Sequence, residues 1–419
     1  MLGFSPPLGA ADLIVEENGV LPNYSTIQAA VDAANPGDRI FVKNQSGGIP
    51  YLENVTINKS IELLPFTANG NFLVFGNYTI TPSAVNFTAT YNYVRIVGMK
   101  NEDGNINAIT NNTTANVIRI DLHGNELEDG SFNILSTGYE SHISGNKLHV
   151  GNIRTREATI TGNQLSGLIE VNDAAATVGP NEPEYLYIVG NRIATDMGSF
   201  TGGRIQWTNS SHSFFISNNF LSSNANGAII IVDMNSSATP NRILNNAMEQ
   251  STTFGYAGIL VTYGLILSDR LQIRNNAMHD GYDGDDNGED EYLVNFAGGV
   301  ASTALVEISY NVHQGLEEGL TNAPGHVLLA HNTEASVTFD IDNFTGESTA
   351  VEVVDEGHPG AEHIDLDLTR NDRGVAGGSF HFDNFFPILT GAARVYLVKA
   401  PRTVIQGSTF DAEAEAHDR

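Results

Sequence analysis

One short motif recurs along this chain and restricts the folds open to it. The motif is an aliphatic residue three positions before an asparagine; ten of these pairs define a rhythm, and their asparagines from Asn125 to Asn276 follow one another at intervals of 17 to 30 residues. The pairs are Leu122/Asn125, Ile143/Asn146, Ile160/Asn163, Ile188/Asn191, Ile216/Asn219, Ile243/Asn246, Ile273/Asn276, Ile308/Asn311, Leu329/Asn332 and Leu368/Asn371. Such unequal intervals exclude a strict repeat array but are typical of a solenoid whose coils carry loops of variable length.

The asparagine of this motif has a physical reason to recur. Asparagine tolerates left-handed backbone geometry at a tight corner, and stacked asparagine side chains can hydrogen-bond to one another along a solenoid axis. Buried amides that satisfy each other explain the periodicity without a ligand. The motif therefore predicts a structural ladder flanked by inward-pointing aliphatic residues, and we prefer this interpretation to a row of ligand contacts.

The stretch from Tyr24 to Leu64 has the pattern of a helix followed by short strands. Ser25 and Gln28 form a capping box, and the apolar residues after Ser25 fall on one face at helical spacing. Asn35-Pro36-Gly37 ends this pattern, and three β-branched or apolar runs follow within residues 39–64. The stretch predicts a helix over residues 24–36 that covers the open end of a stacked β-coil and hides its strand edges.

The same stretch resembles the N-terminal part of the pectin-lyase-like, right-handed parallel β-helix proteins, in which the pattern ST-I-Q-A-A-V-D-A-A-x-x-G-D-x-I-x-V followed by Y-x-E-N-V-x-I-x-K-S-I caps and opens the helix. The match covers residues 24–64 and is similar to secreted bacterial β-helix proteins of unassigned function. The resemblance implies an all-β fold: a right-handed, single-stranded parallel β-helix with an N-terminal capping helix. We expect a lead-in over residues 1–23, the β-helix over 24–410, with its final coils in 379–405, and a frayed acidic tail over 411–419.

The charge balance of the chain limits its partners. It has 49 acidic and 20 basic residues, a formal net charge of −29, and no cysteine. The summed field would repel nucleic acid and anionic membranes, and the lack of thiols excludes disulfides and thiolate metal sites. No apolar segment is long enough to predict a membrane span. The resemblance to secreted proteins leads us to expect an extracellular or cell-surface location.

An acidic segment in the second half of the chain has the pattern of a calcium loop. Asp283, Asp285, Asn287 and Glu289 place oxygen ligands at alternate positions beside a glycine, as a hard cation requires. The match to an EF-hand fails at position twelve, where Val294 replaces the bidentate glutamate. A simpler calcium-binding loop and a solvated acidic loop both stay open.

Two predicted strands carry side chains suited to carbohydrate. Tyr185 and Tyr187 alternate with aliphatic residues, so both rings should point outward, and Arg204 and Gln206 should share an outward face on a neighbouring coil with Trp207 turned inward. Aromatic rings and amides on rigid strands offer stacking and hydrogen bonds to sugar. The alternative is that tyrosine simply favours strands.

Catalytic motifs of the polysaccharide-active β-helix enzymes are mostly missing. Tyr51-Leu-Glu53 matches the start of a pectin methylesterase, but the later QDTL and DFIFG motifs are absent, as is the polygalacturonase set of NTD, GHG and RIK. The basic residues that a lyase would need are scattered singly: Lys147, Arg154, Arg156, Arg192, Arg204 and Arg274. The pairs His326/His331 and His358/His363 do not have a zinc-protease spacing.

Two function classes therefore remain. The first is a non-catalytic extracellular β-helix protein with an adhesive, structural or glycan-binding role, which calcium could stabilise. Its partners would be a polysaccharide, a cell-surface glycan or further copies of the chain. The second is a polysaccharide lyase or glycoside hydrolase whose catalytic residues lie on loops of an unfamiliar family.

Overall fold

The computed structural model describes most of the chain. The described residues are 10–67, 70–81, 92–101, 107–111, 118–135, 141–173, 185–194, 203–209, 211–223, 227–235, 239–250, 257–265, 269–280, 292–316, 319–337, 339, 353–360, 365, 368–378, 380, 384, 394–399 and 413–417.

Three parallel sheets run along these residues, and from the second strand onward each coil adds a strand to sheet I, then sheet II, then sheet III. With strands numbered along the chain, sheet I contains β1 (Asp12–Val15), β2 (Arg39–Val42), β5 (Glu62–Pro65), β8 (Tyr93–Val97), β11 (Arg119–His123), β13 (Ser141–Ser144), β16 (Ala158–Thr161), β19 (Tyr185–Val189), β22 (Ser213–Ser217), β25 (Asn241–Leu244), β28 (Arg270–Arg274), β31 (Leu305–Ser309) and β34 (Leu328–Ala330).

Sheets II and III complete each coil, and the long strand β12 belongs to both because it pairs with one neighbour in each. Sheet II contains β3 (Tyr51–Leu52), β6 (Phe72–Phe75), β9 (Met99–Asn101), the start of β12 (Glu126–Ile134), β14 (Lys147–Val150), β17 (Gln164–Leu165), β20 (Arg192–Ile193), β23 (Phe220–Ser223), β26 (Ala247–Gln250), β29 (Ala277–Asp280), β32 (Val312–Gln314) and β35 (Thr333–Glu334). Sheet III contains β4 (Val55–Ile57), β7 (Tyr78–Ile80), β10 (Asn107–Asn111), the end of β12, β15 (Ile153–Thr155), β18 (Leu168–Asp173), β21 (Arg204–Asn209), β24 (Ile229–Asp233), β27 (Ala257–Val261), β30 (Tyr292–Phe296) and β33 (Gly319–Thr321).

The predicted all-β parallel β-helix is thereby confirmed. Its core is built from columns of aliphatic side chains that keep the same register from coil to coil, because alternate residues of each strand point inward. One column in sheet I is fully buried over eleven consecutive strands: Ile40, Leu63, Ile96, Leu122, Ile143, Ile160, Ile188, Ile216, Ile243, Ile273 and Ile308. Each such side chain contributes about 1.5–3 kcal/mol through burial.

The helix α1 (Ile27–Ala33) caps the N-terminal end of the stack as predicted, although it is shorter than expected. Its N-cap is Thr26 rather than Ser25, and the Glu53 carboxylate accepts hydrogen bonds from the amides of Ile27 (2.7 Å) and Gln28 (2.9 Å). A helix of this length is stable only on an apolar support. The buried side chains Ile27, Ala30 and Val31 supply that contact against the first coil.

The asparagine ladder is also confirmed. Asn146 donates from both its backbone amide (3.0 Å) and its Nδ2 (2.9 Å) to Oδ1 of Asn163, and the same pair of bonds repeats at every step from Asn125 to Asn332. The left-handed corner, however, is the residue before each ladder asparagine. It is Gly145 before Asn146, with φ 61°, so the ladder asparagine does not itself need left-handed geometry.

The tenth motif, Leu368/Asn371, does not add a coil. Leu368 is largely exposed, and Asn371 accepts a hydrogen bond from Nδ2 of Asn245 at 2.8 Å, 126 residues away. The last described strands of the ladder are β34 and β35. The expected coil at 395–398 is instead β36 (Arg394–Lys399), which pairs antiparallel with β37 (Glu413–His417) in the predicted tail.

Candidate functional site

The outer face of sheet I carries a ladder of paired charges in its first half. Arg39 bridges to Asp12 at 2.7 Å, Arg95 lies 3.4 Å from both Glu62 and Asp121, and Arg119 donates to Asp121 at 2.7 Å. The Asp121 side chain is 1% exposed. Burial would raise the pKa of Asp121, but the Arg119 and Arg95 guanidiniums, with His142 and His123, outweigh it and hold that pKa well below its usual range.

Further along the same face the paired charges give way to aromatic rings. Tyr185 and Tyr187 are half-buried on β19, and their ring centroids lie 6.3 Å and 5.3 Å from that of Phe215 on β22. The Tyr185 hydroxyl donates to the carbonyl of Pro240 at 2.8 Å. The guanidinium of Arg242 lies 6.0 Å from the Tyr185 ring centroid, which is within the range of a cation–π contact.

A cavity of about 310 Å³ adjoins this aromatic group on strands β28, β31 and β34. Pro240 lines the cavity, and its carbonyl oxygen also accepts the hydrogen bond from Tyr185. The aromatic group and the cavity therefore form one continuous surface. The cavity is lined by Pro240, Arg270, Gln272, Ala304, Leu305, Val306, Glu307, His326 and Leu328. Arg242 and Gln272 are direct cross-strand neighbours. We call Tyr185, Tyr187, Arg242, Arg270 and Gln272 the late face.

The two arginines of the late face differ from those of the first half. Arg270 is exposed and makes no ion pair with any acidic side chain in the part of the chain that the structure describes. The buried Nε of Arg242 has no hydrogen-bond partner within the same part. In a chain with a net charge of −29, two arginines on one face that make no ion pair with a described carboxylate are unusual, and both can bind an anionic or polar ligand.

Glu307 and His326 are the other titratable side chains that line the cavity. Arg274 donates to Glu307 at 2.5 Å and 2.9 Å, and Ser309 donates at 2.7 Å. Burial would raise the pKa of Glu307, but the hydrogen bonds from Arg274 and Ser309 outweigh it and lower that pKa. The Nε2 of His326 lies 3.0 Å from the carbonyl oxygen of Ala301, so this nitrogen carries the proton.

The four residues predicted to contact glycan do not form one site. Tyr185 and Tyr187 point outward on sheet I, whereas Arg204 and Gln206 lie on β21 of sheet III, a different face of the solenoid. Trp207 is buried as predicted, and its indole nitrogen donates to the carbonyl of Asn209 at 2.9 Å. The residues that do adjoin the tyrosines are Arg242, Arg270 and Gln272. They are separated from the tyrosines by loops of unequal length, so only the strand register links them.

Most of the predicted metal ligands lie outside the described residues, and only some of the histidine candidates can be placed in the structure. Asp283, Asp285, Asn287 and Glu289 lie outside the described residues, as does His363. The described residues contain no group of three His, Asp or Glu side chains placed to hold a metal ion. His358 has a structural role, because its Nδ1 accepts a hydrogen bond from the Gly360 amide at 3.0 Å and its ring packs edge-on against Tyr310.

Comparisons with models of known families, with curated proteins and with solved structures gave no match. Within the described ranges, no helix has the length and apolar character needed to cross a membrane.

Proposed function

We propose that this chain is an extracellular, non-catalytic β-helix protein that binds glycan at the late face. The observation that carries the proposal is the continuity between the tyrosine pair and the adjoining cavity: Arg242 lies beside the Tyr185 ring and pairs with Gln272, which lines the cavity together with Arg270. The cavity volume of about 310 Å³ is at the lower end of the range for small-ligand sites.

The chemistry of the late face matches that of a sugar. Pyranose rings have apolar faces that pack on aromatic side chains, and their hydroxyl groups exchange hydrogen bonds with amides and guanidiniums. Tyr185 and Tyr187 supply the rings, and Gln272 supplies both a donor and an acceptor. Because the strands are held in register by the core, little conformational entropy is lost when such a face binds.

The charges of the late face favour a glycan with an acidic group over a neutral one. Arg270 has no acidic partner in the described part of the chain, and charge-assisted hydrogen bonds are roughly twice as strong as neutral ones. A carboxylate or sulfate beside Arg270 would supply the missing partner. This preference follows from the local site and opposes the net charge of the whole chain, which repels polyanions at long range.

The carboxylate that lines the cavity favours a binding role. The Glu307 carboxylate accepts hydrogen bonds from Arg274 and Ser309, and its lowered pKa keeps it ionised at neutral pH. A glycosidase needs a protonated carboxylic acid opposite a second carboxylate. Glu307 does not match the first role, and the cavity lining offers no second acidic side chain in the described residues.

A polysaccharide lyase is the second candidate, and His326 is the observation that favours it. Since Nε2 donates its proton to the carbonyl oxygen of Ala301, Nδ1 is the nitrogen that would remove the proton from the carbon next to a uronate carboxylate beside Arg270. A carbon–carbon double bond would form as the glycosidic C–O bond breaks, and the leaving oxygen would take a proton from water. This reaction would release an unsaturated uronate that absorbs ultraviolet light. The His326→Gln variant should abolish that signal if the candidate is right.

A glycan panel with two matched variants tests the lead proposal. We expect at least one acidic glycan to bind without turnover, and Arg270→Ala to weaken its Kd by about tenfold because a charge-assisted hydrogen bond is lost. Arg204→Ala, on sheet III, is the control and should leave the Kd unchanged. Binding to no member of the panel, or an equal loss in both variants, would contradict the proposal.

Calcium stabilisation, assembly with further copies of the chain and an extracellular location belong to the same proposal. For the loop with Asp283, Asp285, Asn287 and Glu289, we expect calcium to raise the Tm relative to chelator, because a ligand bound only by the folded state stabilises it. The Asp285→Ala variant should remove that difference. An identical Tm in calcium and chelator would argue against a stabilising site.

A further inference from the structure

A segment near the C-terminus lies along the outside of the late coils. We call residues 353–360, 365, 368–378 and 380 the C-terminal strap. Nδ2 of Asn218 donates to the carbonyls of Val375 (3.0 Å) and Gly377 (2.6 Å). These contacts join residues 157 and 159 positions apart, so the strap is held by tertiary contacts and not by the coil that precedes it.

The next two coils bind the strap in the same way. Nδ2 of Asn245 donates to Oδ1 of Asn371 (2.8 Å) and to the carbonyl of Asp372 (2.9 Å). Oδ1 of Asn275 accepts a hydrogen bond from the His358 amide at 2.8 Å. The side chains of three consecutive corner residues therefore form hydrogen bonds with one segment, through its main chain and the side-chain amide of Asn371.

These corner asparagines replace glycines found earlier in the stack. The left-handed corners of the earlier coils are Gly98, Gly124, Gly145, Gly162 and Gly190, with φ between 56° and 66°. At Asn218, Asn245 and Asn275 the φ values are 54° to 56°, so the backbone is the same but a side chain is present. Glycine adopts this conformation without strain, and a side chain there needs a compensating contact. The strap provides that contact at all three positions.

The end of the strap reaches the aromatic part of the late face. The ring of Phe380 packs edge-on against that of Phe215, with centroids 5.5 Å apart, and the same apolar cluster includes Tyr185 and Tyr187. Phe215 points outward between Tyr187 and Arg242 in the strand register, yet it is only 4% exposed. A face that would otherwise offer three aromatic rings is therefore partly covered by the chain itself.

We propose that the C-terminal strap is an autoinhibitory contact, in which Phe380 occupies the aromatic end of the late face and must move away before a glycan can bind there fully. This inference rests on the proposed glycan binding. The corner asparagines set how firmly the strap is held, and the core columns beneath them do not change when it leaves. If the site is accessible only in a minor state, the apparent Kd equals the intrinsic Kd divided by the fraction of molecules in that state.

The first experiment measures strap release without any glycan. The double variant Asn218→Gly/Asn245→Gly keeps the left-handed corners, because glycine adopts them readily, but removes their bonds to the strap. We expect hydrogen exchange at residues 372–378 to rise by about tenfold or more, and nitration of Tyr187 to increase, while exchange in the sheet I strands is unchanged. Asn18→Gly, at another left-handed asparagine (φ 59°) far along the chain from the strap, is the matched control. Unchanged strap exchange and Tyr187 nitration in the double variant would overturn the inference.

The second experiment measures binding of the acidic glycan found with the panel, using two further variants that weaken the strap independently. Phe380→Ala removes the covering ring. Gly377→Ala prevents the strap from folding, because its added Cβ would lie 2.0 Å from the carbonyl oxygen of Asp372 and 2.2 Å from Oδ1 of Asn371. In both variants and in the double glycine variant we expect a Kd lower by about tenfold than in the wild type.

The outcomes separate the inference from the proposed function. Equal Kd values in the wild type and all strap variants overturn the autoinhibitory contact and leave glycan binding intact. A Kd that is lower in the strap variants than in the wild type supports both. Binding in none of the proteins overturns the proposed function and the inference with it.

Discussion

Strands β8 to β13 and strands β19 to β28 belong to the same sheet and share one buried aliphatic column, but their outer faces differ. The first group carries Arg95 and Arg119, which converge on Asp121. The second group carries Arg242, stacked on Tyr185, and Arg270, which has no acidic partner within the described residues. Since both regions share the same inward-facing core, the outward residues of a solenoid can add stability in one region and serve recognition in another.

The corners between sheets I and II change at the same point along the stack. Gly190 is the last glycine corner, and Asn218 is the first asparagine corner and the first to bind the C-terminal strap. Because both residues have nearly the same φ, the change alters the surface and not the path of the backbone. The strap and the late face therefore occur together.

The largest expected effect lies in the first half of the stack. Asp121→Asn leaves the Arg95 and Arg119 guanidiniums beside a neutral partner, and removing one member of a buried ion pair should lower the free energy of unfolding by about 3 kcal/mol. Urea unfolding of both proteins measures it. Asp12→Asn, at an exposed pair, is the control and should cost less than about 1 kcal/mol. Equal costs at the two positions would show that the burial of Asp121 has no special importance.

The same residue predicts a dependence on pH. Because the pKa of Asp121 is lowered in the folded state, its contribution is present above the unfolded pKa of about 4 and is lost as the pH falls from there toward the folded pKa. The difference in unfolding free energy between wild type and Asp121→Asn should therefore be constant from pH 7 to pH 5 and shrink at pH 3. A difference that stays the same at pH 3 would contradict this explanation.

The corner residues should show a smaller effect. Gly145→Asn introduces a side chain where no atom lies within 4 Å and no strap is bound, so only backbone strain is added, and we expect a cost of about 1 kcal/mol or less. Gly145→Val should cost more, because a β-branched residue is poorly tolerated at positive φ. Thermal unfolding of the two variants checks the order, and the reverse order would show that strain does not control these corners.

The architecture could be predicted from sequence because it depends on a local pattern that repeats. Each ladder asparagine and its aliphatic partner lie three residues apart, and the ladder formed at all nine positions through Asn332. Asn371 has the same spacing but belongs to the strap, because the local motif does not encode which segment it will contact.

The candidate site was only partly predictable. The outward direction of Tyr185 and Tyr187 follows from strand alternation, so it could be read from the sequence. Their neighbours Arg242 and Arg270 are set by the register between strands that loops separate, and the coil intervals vary too much to fix that register in advance. Arg204 and Gln206 do share the predicted outward side of their strand, but the sequence did not show that this strand lies in sheet III, because a neighbouring strand can belong to any of three sheets.

We propose that glycan is recognised by the late face and not by the paired arginines of the first half. The most direct test is calorimetric titration of the acidic glycan against Arg270→Gln and Arg39→Gln, since Arg39 lies on the same sheet in an exposed pair with Asp12. We predict a Kd raised by about tenfold for Arg270→Gln and unchanged for Arg39→Gln. Equal affinities for both variants and the wild type would contradict the claim.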